Sequence, residues 1–462
     1  MYFEQIGEYM IHLTITGQYM ACPIWATDSL DNEYSTFSVL MGEREIFHLN
    51  IPVTDSASRE PDGFTYLKLP GDLFVNEEPA SKSVKSQKTL LVMLSPQEGE
   101  AIDSDRIMAY LNHIHFVDSP KWEEQPEDEL HYHAPYGFLN DPNGFTNQNG
   151  QWILYHQHNP MDRQWQNMSW GSSYSTDGLH YHFRGDVLLP DRSGSSFSGC
   201  SLLNERGLLG LPKDAILFFY TYAGRNPLIH EGKKHKGDVH FTQRLAYSLD
   251  GGETLLPYPA FELAEYTREN RDPKILWHEA SKSYIMVLFL EANAFAILRS
   301  TDLLHWEKTQ EFSYPPMWEC PDLFCLKRGE EEVWAFTSAD GFYYLGSFDG
   351  REFHEIQEMQ SLFDTKGVSP YASQTAFGTD GRIVQISWLR TENHGELWNG
   401  LMSIPREFTL GGEEGSYYIK QEFIRESSSF TKEIDGRTVI SDRLARESLD
   451  AEGCILHVDQ SF

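Results

Sequence analysis

Three carboxylates differ from the many other acids of this chain in their surroundings. Asp141 ends an apolar approach and enters a sharp turn, Tyr136-Gly137-Phe138-Leu139-Asn140-Asp141-Pro142-Asn143-Gly144. Asp272 lies in Arg271-Asp272-Pro273-Lys274, just before a strand-like run over 275–277. Glu319 lies in Trp318-Glu319-Cys320-Pro321-Asp322-Leu323-Phe324. Each stands near the start of a strand-rich segment. Three acids brought together in this way do not titrate alike, because burial and mutual repulsion push their pKa values apart. A carboxyl kept protonated beside one kept ionised is the pair that glycoside hydrolysis uses. Most acids elsewhere in the chain read as solvated surface groups.

The elements that must position these acids announce themselves as a repeat. A turn recurs at Ser175-Thr176-Asp177-Gly178, Ser248-Leu249-Asp250-Gly251, Ser300-Thr301-Asp302-Leu303 and Ser347-Phe348-Asp349-Gly350, with a fainter copy at Thr379-Asp380-Gly381. Asp-Gly turns between aromatic and β-branched runs are hairpin signals, since Gly accepts positive φ and Asp bonds its own backbone. A strand-built repeat of roughly 50 residues points to propeller blades, and the copies favour five of them. A sandwich with similar turns is the alternative. The expected fold is therefore all-β: a five-bladed β-propeller over 126–410, an N-terminal accessory β-domain with linker over 1–125, and a short C-terminal β-sandwich-like segment over 411–462. The first zone holds strand-like runs at 10–16, 45–53, 64–69 and 89–94, and one helix at 104–111. An acidic, proline-bearing stretch over 118–129 reads as a linker or surface strap. The last zone alternates as strands at 416–422, 438–441 and 454–458, and is too short to bury a core alone.

Composition narrows the partners. Of 462 residues, 69 are acidic and 37 basic, a net charge of −32 that repels nucleic acid and anionic membranes. Aromatic residues at 13% suit both strands and sugar-binding clefts. The five cysteines (Cys22, Cys200, Cys320, Cys325, Cys454) are odd in number and form no CxxC pair, so free thiols are expected. The N-terminal residues lack a secretory pattern, and the most apolar stretch, over 284–298, is broken by Glu291 and Asn293. The expected location is cytoplasmic. Asn167-Met168-Ser169 matches a glycosylation sequon, which matters only in a secretory compartment. Three His-x-His pairs, His113 with His115, His131 with His133 and His156 with His158, share strand faces at a spacing that suits a metal.

Taken in order, the motifs resemble glycoside hydrolase family 32, the family of invertases, sucrose-6-phosphate hydrolases, levanases and inulinases. The resemblance runs from Asn140-Asp141-Pro142-Asn143-Gly144 through Arg271-Asp272-Pro273 to Glu319-Cys320-Pro321-Asp322. It extends to Tyr155-His156-Gln157-His158-Asn159-Pro160, Trp165, Trp170-Gly171, Phe197-Ser198-Gly199, Tyr371-Ala372-Ser373-Gln374-Thr375, Trp398-Asn399-Gly400 and Ile404-Pro405-Arg406-Glu407, over about 130–425. It implies a five-bladed propeller followed by a β-sandwich. It also implies roles: Asp141 as the nucleophile on the anomeric carbon of a fructofuranosyl unit, Glu319 as acid and then base, and Asp272 as the stabiliser of the oxocarbenium-like transition state. A retaining enzyme of this kind needs its two main carboxyls about 5–5.5 Å apart.

By the same resemblance Asn140, Gln157, Ser198 and Arg271 contact the sugar, and Trp165, Phe197 and Trp388 wall its pocket. The aromatics can equally serve blade packing, and Ser198 and Gln157 can equally satisfy backbone groups in strands. No metal and no cofactor is implied, and His156 and His158 stand where aromatics are usual. The expected partner is a small carbohydrate substrate (sucrose, sucrose 6-phosphate or short fructo-oligosaccharides), with no nucleic acid and no membrane; a homo-oligomer is left open. Departures cluster at the pocket rim: Ser369-Pro370-Tyr371-Ala372 replaces a common Asp-Phe-Tyr-Ala, Phe138-Leu139 replaces a tryptophan or methionine, and Ser172 replaces a histidine. About 130 residues precede the first motif, more than the family's usual short lead. Fructosyl transfer on the same scaffold and a non-catalytic fructan-binding propeller are the alternatives to hydrolysis.

Overall fold

The computed structural model describes residues 3–5, 8–26, 34–74, 88–96, 103–122, 124–126, 129–224, 240–263, 265–363, 370–376, 378–391, 396–434 and 437–440. Alternating apolar residues up to position 117 fold into two antiparallel sheets. The larger has the order Phe3–Gln5, Glu8–Thr14, Thr89–Pro96, Tyr34–Met41, Arg44–Pro52. The smaller runs Gly63–Lys68, Tyr19–Ile24, His115–Val117. The expected helix spans Ser104–His113, and the Asp103 carboxylate at its start accepts the Asp105 N–H at 2.9 Å. That bond satisfies one of the donors that every helix start leaves open. Ile107, Tyr110 and Leu111 turn inward from the helix onto Phe37, Val39, Leu49, Leu90 and Val92, all of which are buried. Met161, from much later in the chain, completes this core.

Residues 119–122 and 124–126 run along the next sheet. Trp122 packs edge-on against Phe183 at 5.1 Å, and the Gln125 side-chain carbonyl accepts the Tyr181 N–H at 3.0 Å. The acidic stretch is thus a strap rather than a free linker in its described part.

Five further antiparallel sheets follow one another along the chain. Their main strands are Gly137–Gln148, Gln151–Asn159, Ser169–Ser175 and His182–Leu188; then Gly194–Leu203, Ile216–Gly224, His240–Ser248 and Leu256–Leu263; then Arg271–His278, Ser283–Phe289, Ala294–Ser300 and Glu307–Ser313. The fourth holds Asp322–Arg328, Glu331–Thr337, Phe342–Phe348 and Phe353–Glu355, and the fifth Pro370–Thr375, Ile383–Leu389, Arg406–Gly411 and Tyr418–Phe423. The first strands of successive sheets lie side by side, and that of the fifth returns to that of the first, closing a ring. Trp398–Asn399 pairs in parallel with Gly137–Gln148 and staples the last sheet to the first. A closed ring of four-stranded sheets is a β-propeller.

The recurring turn has one job. In the first three copies the Ser hydroxyl bonds the Asp carboxylate, and that carboxylate collects backbone N–H groups two to four residues on: Leu179 and His180 on Asp177, Thr254 on Asp250, Leu304 and His305 on Asp302. Asp349 does the same for Arg351 and Glu352, without a bond from Ser347 among those described. All four connect the third strand of a sheet to its fourth. The fainter copy at Thr379-Asp380-Gly381 does not: it joins the first strand of the fifth sheet to the second. Its likeness is one of turn chemistry, since Asp380 and Gly381 both hold positive φ, and not of position in the repeat.

The strand expected over 416–422 is present as Tyr418–Phe423 but belongs to the fifth sheet, paired with Arg406–Gly411. A hairpin of Thr431–Ile434 and Arg437–Ile440 follows. The strand expected at 454–458, the end of that at 438–441, and Cys454 lie outside the described residues. Among the described residues, no helix is long and apolar enough to cross a membrane.

Candidate active site

The three singled-out acids all sit at the entry ends of first strands, and the ring brings those ends together. Asp141 lies on Gly137–Gln148, Asp272 on Arg271–His278, and Glu319 three residues before Asp322–Arg328. Cys320 sits between them. Its thiol is 3.7 Å from Asp141 Oδ2 and 3.4 Å from Asp272 Oδ2, and its backbone N–H donates to Asp272 Oδ2 at 3.1 Å. This convergence requires unusual backbone, with φ of +61° at Asp272, +24° at Glu319 and +44° at Cys320. Left-handed backbone at non-glycine residues costs on the order of 1–3 kcal/mol each and gathers at functional sites.

Each acid has its own partners. Asp141 accepts the Ser198 hydroxyl at 2.7 Å and the Asn140 amide at 3.1 Å. Burial, reinforced by the charge of Glu319, pushes its carboxyl up to about 6, against the pull of the Ser198 and Asn140 hydrogen bonds. Asp272 is buried at 7% exposure, and its N–H donates to Thr221 Oγ1 at 2.9 Å. Burial pushes it up to about 7; the Arg271 guanidinium pulls it down, while Glu319 and Asp141 push it further up. Glu319 Oε2 takes two bonds from Arg271, at 3.0 Å from Nε and 2.7 Å from Nη2, and its Oε1 accepts the Tyr371 hydroxyl at 2.6 Å. Arg271 is itself laid over the Phe289 ring at 4.5 Å.

The other expected contact residues distribute around this trio. Asn140 and Ser198 bond Asp141 directly, and Arg271 bonds Glu319. Phe197 stands edge-on to Trp165 at 5.9 Å and packs on Phe241 at 5.6 Å. Trp165 is 41% exposed and connects to the acids through Phe197, the neighbour of Ser198. Trp388 meets both Phe138 and Tyr371 edge-on, at 6.0 and 6.2 Å. Gln157 is buried and donates its amide to the Ser196 carbonyl at 3.1 Å, so it reaches the site through the strand that carries Ser198. Asn140 Oδ1 and Trp388 Nε1 are buried without a hydrogen-bond partner. A small pocket beside Asp141, Ser198, Asp272 and Cys320 is lined further by Gln374, Lys274 and Asp322.

Sequence reading had not assigned roles to Cys320, Tyr371, Asp340 and Arg390. The first two stood inside quoted motifs and carried a signal. Asp340 and Arg390 carried none: burial and the charge of Glu319 raise the Asp340 carboxyl, Arg390 draws it down, and Arg390 lies 4.3 Å over the Tyr371 ring.

The histidine pairs are occupied otherwise than by a shared ion. His158 bonds Asp186 at 2.7 Å and the Tyr136 carbonyl at 2.8 Å, while His156 bonds the Tyr132 hydroxyl at 3.2 Å. His133 stacks flat on Trp398 at 3.8 Å, and His115 meets Phe64 edge-on at 4.9 Å. Among the described residues, no three His, Cys, Asp or Glu side chains group as metal ligands.

Comparison with known proteins agrees with this geometry. Residues 131–421 match the model of the glycosyl hydrolases family 32 N-terminal domain. A levanase of Bacillus subtilis is 28% identical over 370 residues, covering 72% of this chain and 53% of the levanase. An extracellular exo-inulinase of Meyerozyma guilliermondii is 28% identical over 342 residues, covering 67% of this chain and 64% of the inulinase. The chain thus spans between half and two thirds of the length of these relatives. The exo-inulinase of Aspergillus awamori superposes with a TM-score of 0.59 at 25% identity, over 67% of this chain and 69% of that one. Relatives named as extracellular lend no support to the cytoplasmic expectation. With the family model spanning most of the ring and all three clustered acids within it, the chain belongs to the glycosyl hydrolases of family 32.

Proposed function

We propose that this protein is a retaining β-fructofuranosidase built on a five-bladed propeller, with a catalytic unit over 126–410 extended by its last strand to about 424. Asp141 attacks the anomeric carbon of a terminal fructosyl unit and forms a covalent fructosyl-enzyme. Glu319 protonates the departing oxygen and then takes a proton from the incoming water. Asp272 holds fructose hydroxyls and supports the positive charge of the transition state. The observation that carries this reading is the meeting of Asp141, Asp272 and Glu319 around one thiol and one guanidinium.

Chemistry at the site supports these assignments. Two hydrogen bonds into Asp141 aim the carboxylate and leave its attack on carbon to the substrate's approach. Glu319 is bonded by Arg271 and by the Tyr371 hydroxyl, and these bonds support its reading as the group that exchanges a proton with the leaving oxygen. The unpaired Asn140 Oδ1 and Trp388 Nε1 suit sugar hydroxyls, because a buried polar atom without a partner costs about 1–3 kcal/mol. Trp165, Phe197 and Trp388 supply apolar faces for the ring.

The substrates we propose are small fructosides: sucrose, its 6-phosphate or short fructo-oligosaccharides. Cytoplasmic action is our reading on the four described cysteines, which are all free thiols. Fructose release from sucrose, sucrose 6-phosphate, kestose, inulin and levan tests the reaction, with Glu319→Gln as the control. The expected result is release from at least one substrate, a loss of about a thousandfold or more in the variant, and a first-formed β-fructofuranose by proton NMR. An inverted anomer would overturn the nucleophilic role of Asp141. No release across the panel would overturn the hydrolase reading.

A further inference from the structure

The sequon residue Asn167 is placed where no glycan can reach it. It is 1% exposed and its φ is +46°. Its side-chain oxygen accepts the Asn50 N–H at 2.8 Å, and its amide donates to the Asn50 carbonyl at 2.7 Å and to Asn159 Oδ1 at 3.0 Å. Asn50 belongs to Arg44–Pro52, the outer strand of the larger N-terminal sheet. The Asn167 amide therefore pairs with an open strand edge as one more residue of the ladder would.

Asn167 also ends the turn 160–168 that joins the second and third strands of the first propeller sheet, and this turn carries Trp165. The N-terminal sheets grip the same turn twice more, by burying Met161 in their core and by the hydroxyl of Tyr34 on the Asp162 carboxylate. On its other flank the turn is held by Arg163, whose guanidinium donates to the Glu396 carbonyl at 3.0 Å and whose carbonyl accepts the Asn399 amide at 3.2 Å. Inside it, the Asn159 amide donates to the Gln164 carbonyl at 2.7 Å. The Met168 carbonyl takes the Ser196 N–H at 3.1 Å, two residues from the Ser198 that bonds Asp141. From the edge strand to the nucleophile the path is continuous: Asn50, Asn167, the turn, Trp165, Phe197, Ser198, Asp141.

We propose that Asn167 is a positioning residue through which the N-terminal sheets hold the 160–168 turn, so that Trp165 stands at the pocket mouth and the N-terminal part of the chain takes part in substrate recognition. This rests on the reading of the pocket as a fructoside site. Asn167 acts through Trp165 and touches no substrate.

Asn167→Gly is the informative variant, because glycine accepts the positive φ and removes only the side-chain clamp. In the full chain, hydrogen exchange of the amides over 160–168 should quicken by about tenfold or more while the strands on either side keep their protection. On whichever fructoside the wild type cleaves, KM should rise about tenfold with kcat within about twofold. Trp165→Ala should raise KM comparably, and the double variant should be no worse than the worse single one, which a merely structural loss would not produce. Asn167→Asp, which keeps the acceptor and loses the donor, should fall between wild type and Asn167→Gly. Unchanged exchange over 160–168, or additive effects of Asn167→Gly and Trp165→Ala on KM, would overturn the proposal. A wild-type protein that releases no fructose would count against the functional reading instead, and the exchange measurement would still decide whether Asn167 holds the turn.

Discussion

Asp141 carries two opposed demands. As the proposed nucleophile it must be ionised, yet burial and the neighbouring Glu319 hold its carboxyl up at about 6. Cleavage should therefore fall away as pH drops below about 6, where an unperturbed carboxylate would keep working to about 4. Stability should run the other way. Between the ordinary carboxylate range and about 6 the folded protein keeps a proton that the unfolded chain has released, so each rise in pH through that window costs the folded state. Asp141→Asn removes the ionisation and keeps an acceptor for the Ser198 hydroxyl. It should abolish fructose release and melt a few degrees above wild type at pH 8, with the gain gone at pH 4. Melting curves at the two pH values check this. A variant that melts lower at pH 8 would mean that Ser198 and Asn140 stabilise the carboxylate more than burial penalises it. The expected outcome is that activity and stability trade against each other at this one residue.

At the scale of strands, the site depends on how three first strands are locked in register. Lys274 on Arg271–His278 reaches Asp322 on Asp322–Arg328 at 3.4 Å and also donates to the Thr375 carbonyl on Pro370–Thr375. Thr375 returns its N–H and hydroxyl to Asp322 at 2.7 and 2.8 Å. The pair lies two residues below Asp272 and three below Glu319, so it fixes the spacing of the strands that carry them. Asp322 is 1% exposed in its side chain, and removing its cation leaves a buried charge short of a partner. Lys274→Met should cost about 3 kcal/mol in urea unfolding, and adding Asp322→Asn should restore a good part of it. A loss below about 1 kcal/mol would show that the two Thr375 bonds suffice for Asp322 alone. This lock explains what was legible from sequence. Asp141, Asp272 and Glu319 were found because each sits in a short motif at a strand start, and the strand repeat was found because its turn needs Ser, Asp and Gly at set places. Tyr371 was legible only as part of its motif, while Asp340 and Arg390 approach Glu319 and Tyr371 from the turn 338–341 and the end of Ile383–Leu389, and nothing local to them signals that approach. The misassigned copy at Thr379-Asp380-Gly381 has the same cause: turn chemistry is local, whereas place in a repeat is not.

For the whole molecule, the question is whether the two N-terminal sheets and the ring are separable. Composition and strand patterning revealed that a β-rich unit precedes the ring; they held no sign of the surface between them. That surface is built from side chains far apart in sequence. Met161 is buried in the N-terminal core, Asn167 pairs with Asn50, Arg192 reaches Glu45 at 2.9 Å, and Gly63 lies against Leu397. Trp122 covers Phe183 and Gly185 of the first propeller sheet. Deleting residues 1–125 would expose Met161 and Phe183 to water at about 25 cal/mol per Å² of apolar surface. It would also leave the Asn167 amide facing no strand edge, and it would free the turn that presents Trp165. The prediction is that residues 126–462 expressed alone are poorly soluble, or melt well below the full chain and bind fructosides weakly. Melting and binding of the two proteins side by side check this. A soluble fragment with the melting point and KM of the full chain would mean that the ring folds and recognises its substrate alone, and that the contacts through Asn167 and Met161 join two finished units. The burial of Met161 at 1% exposure argues for the first outcome, because a residue that closes its neighbour's core is part of one folding unit with it.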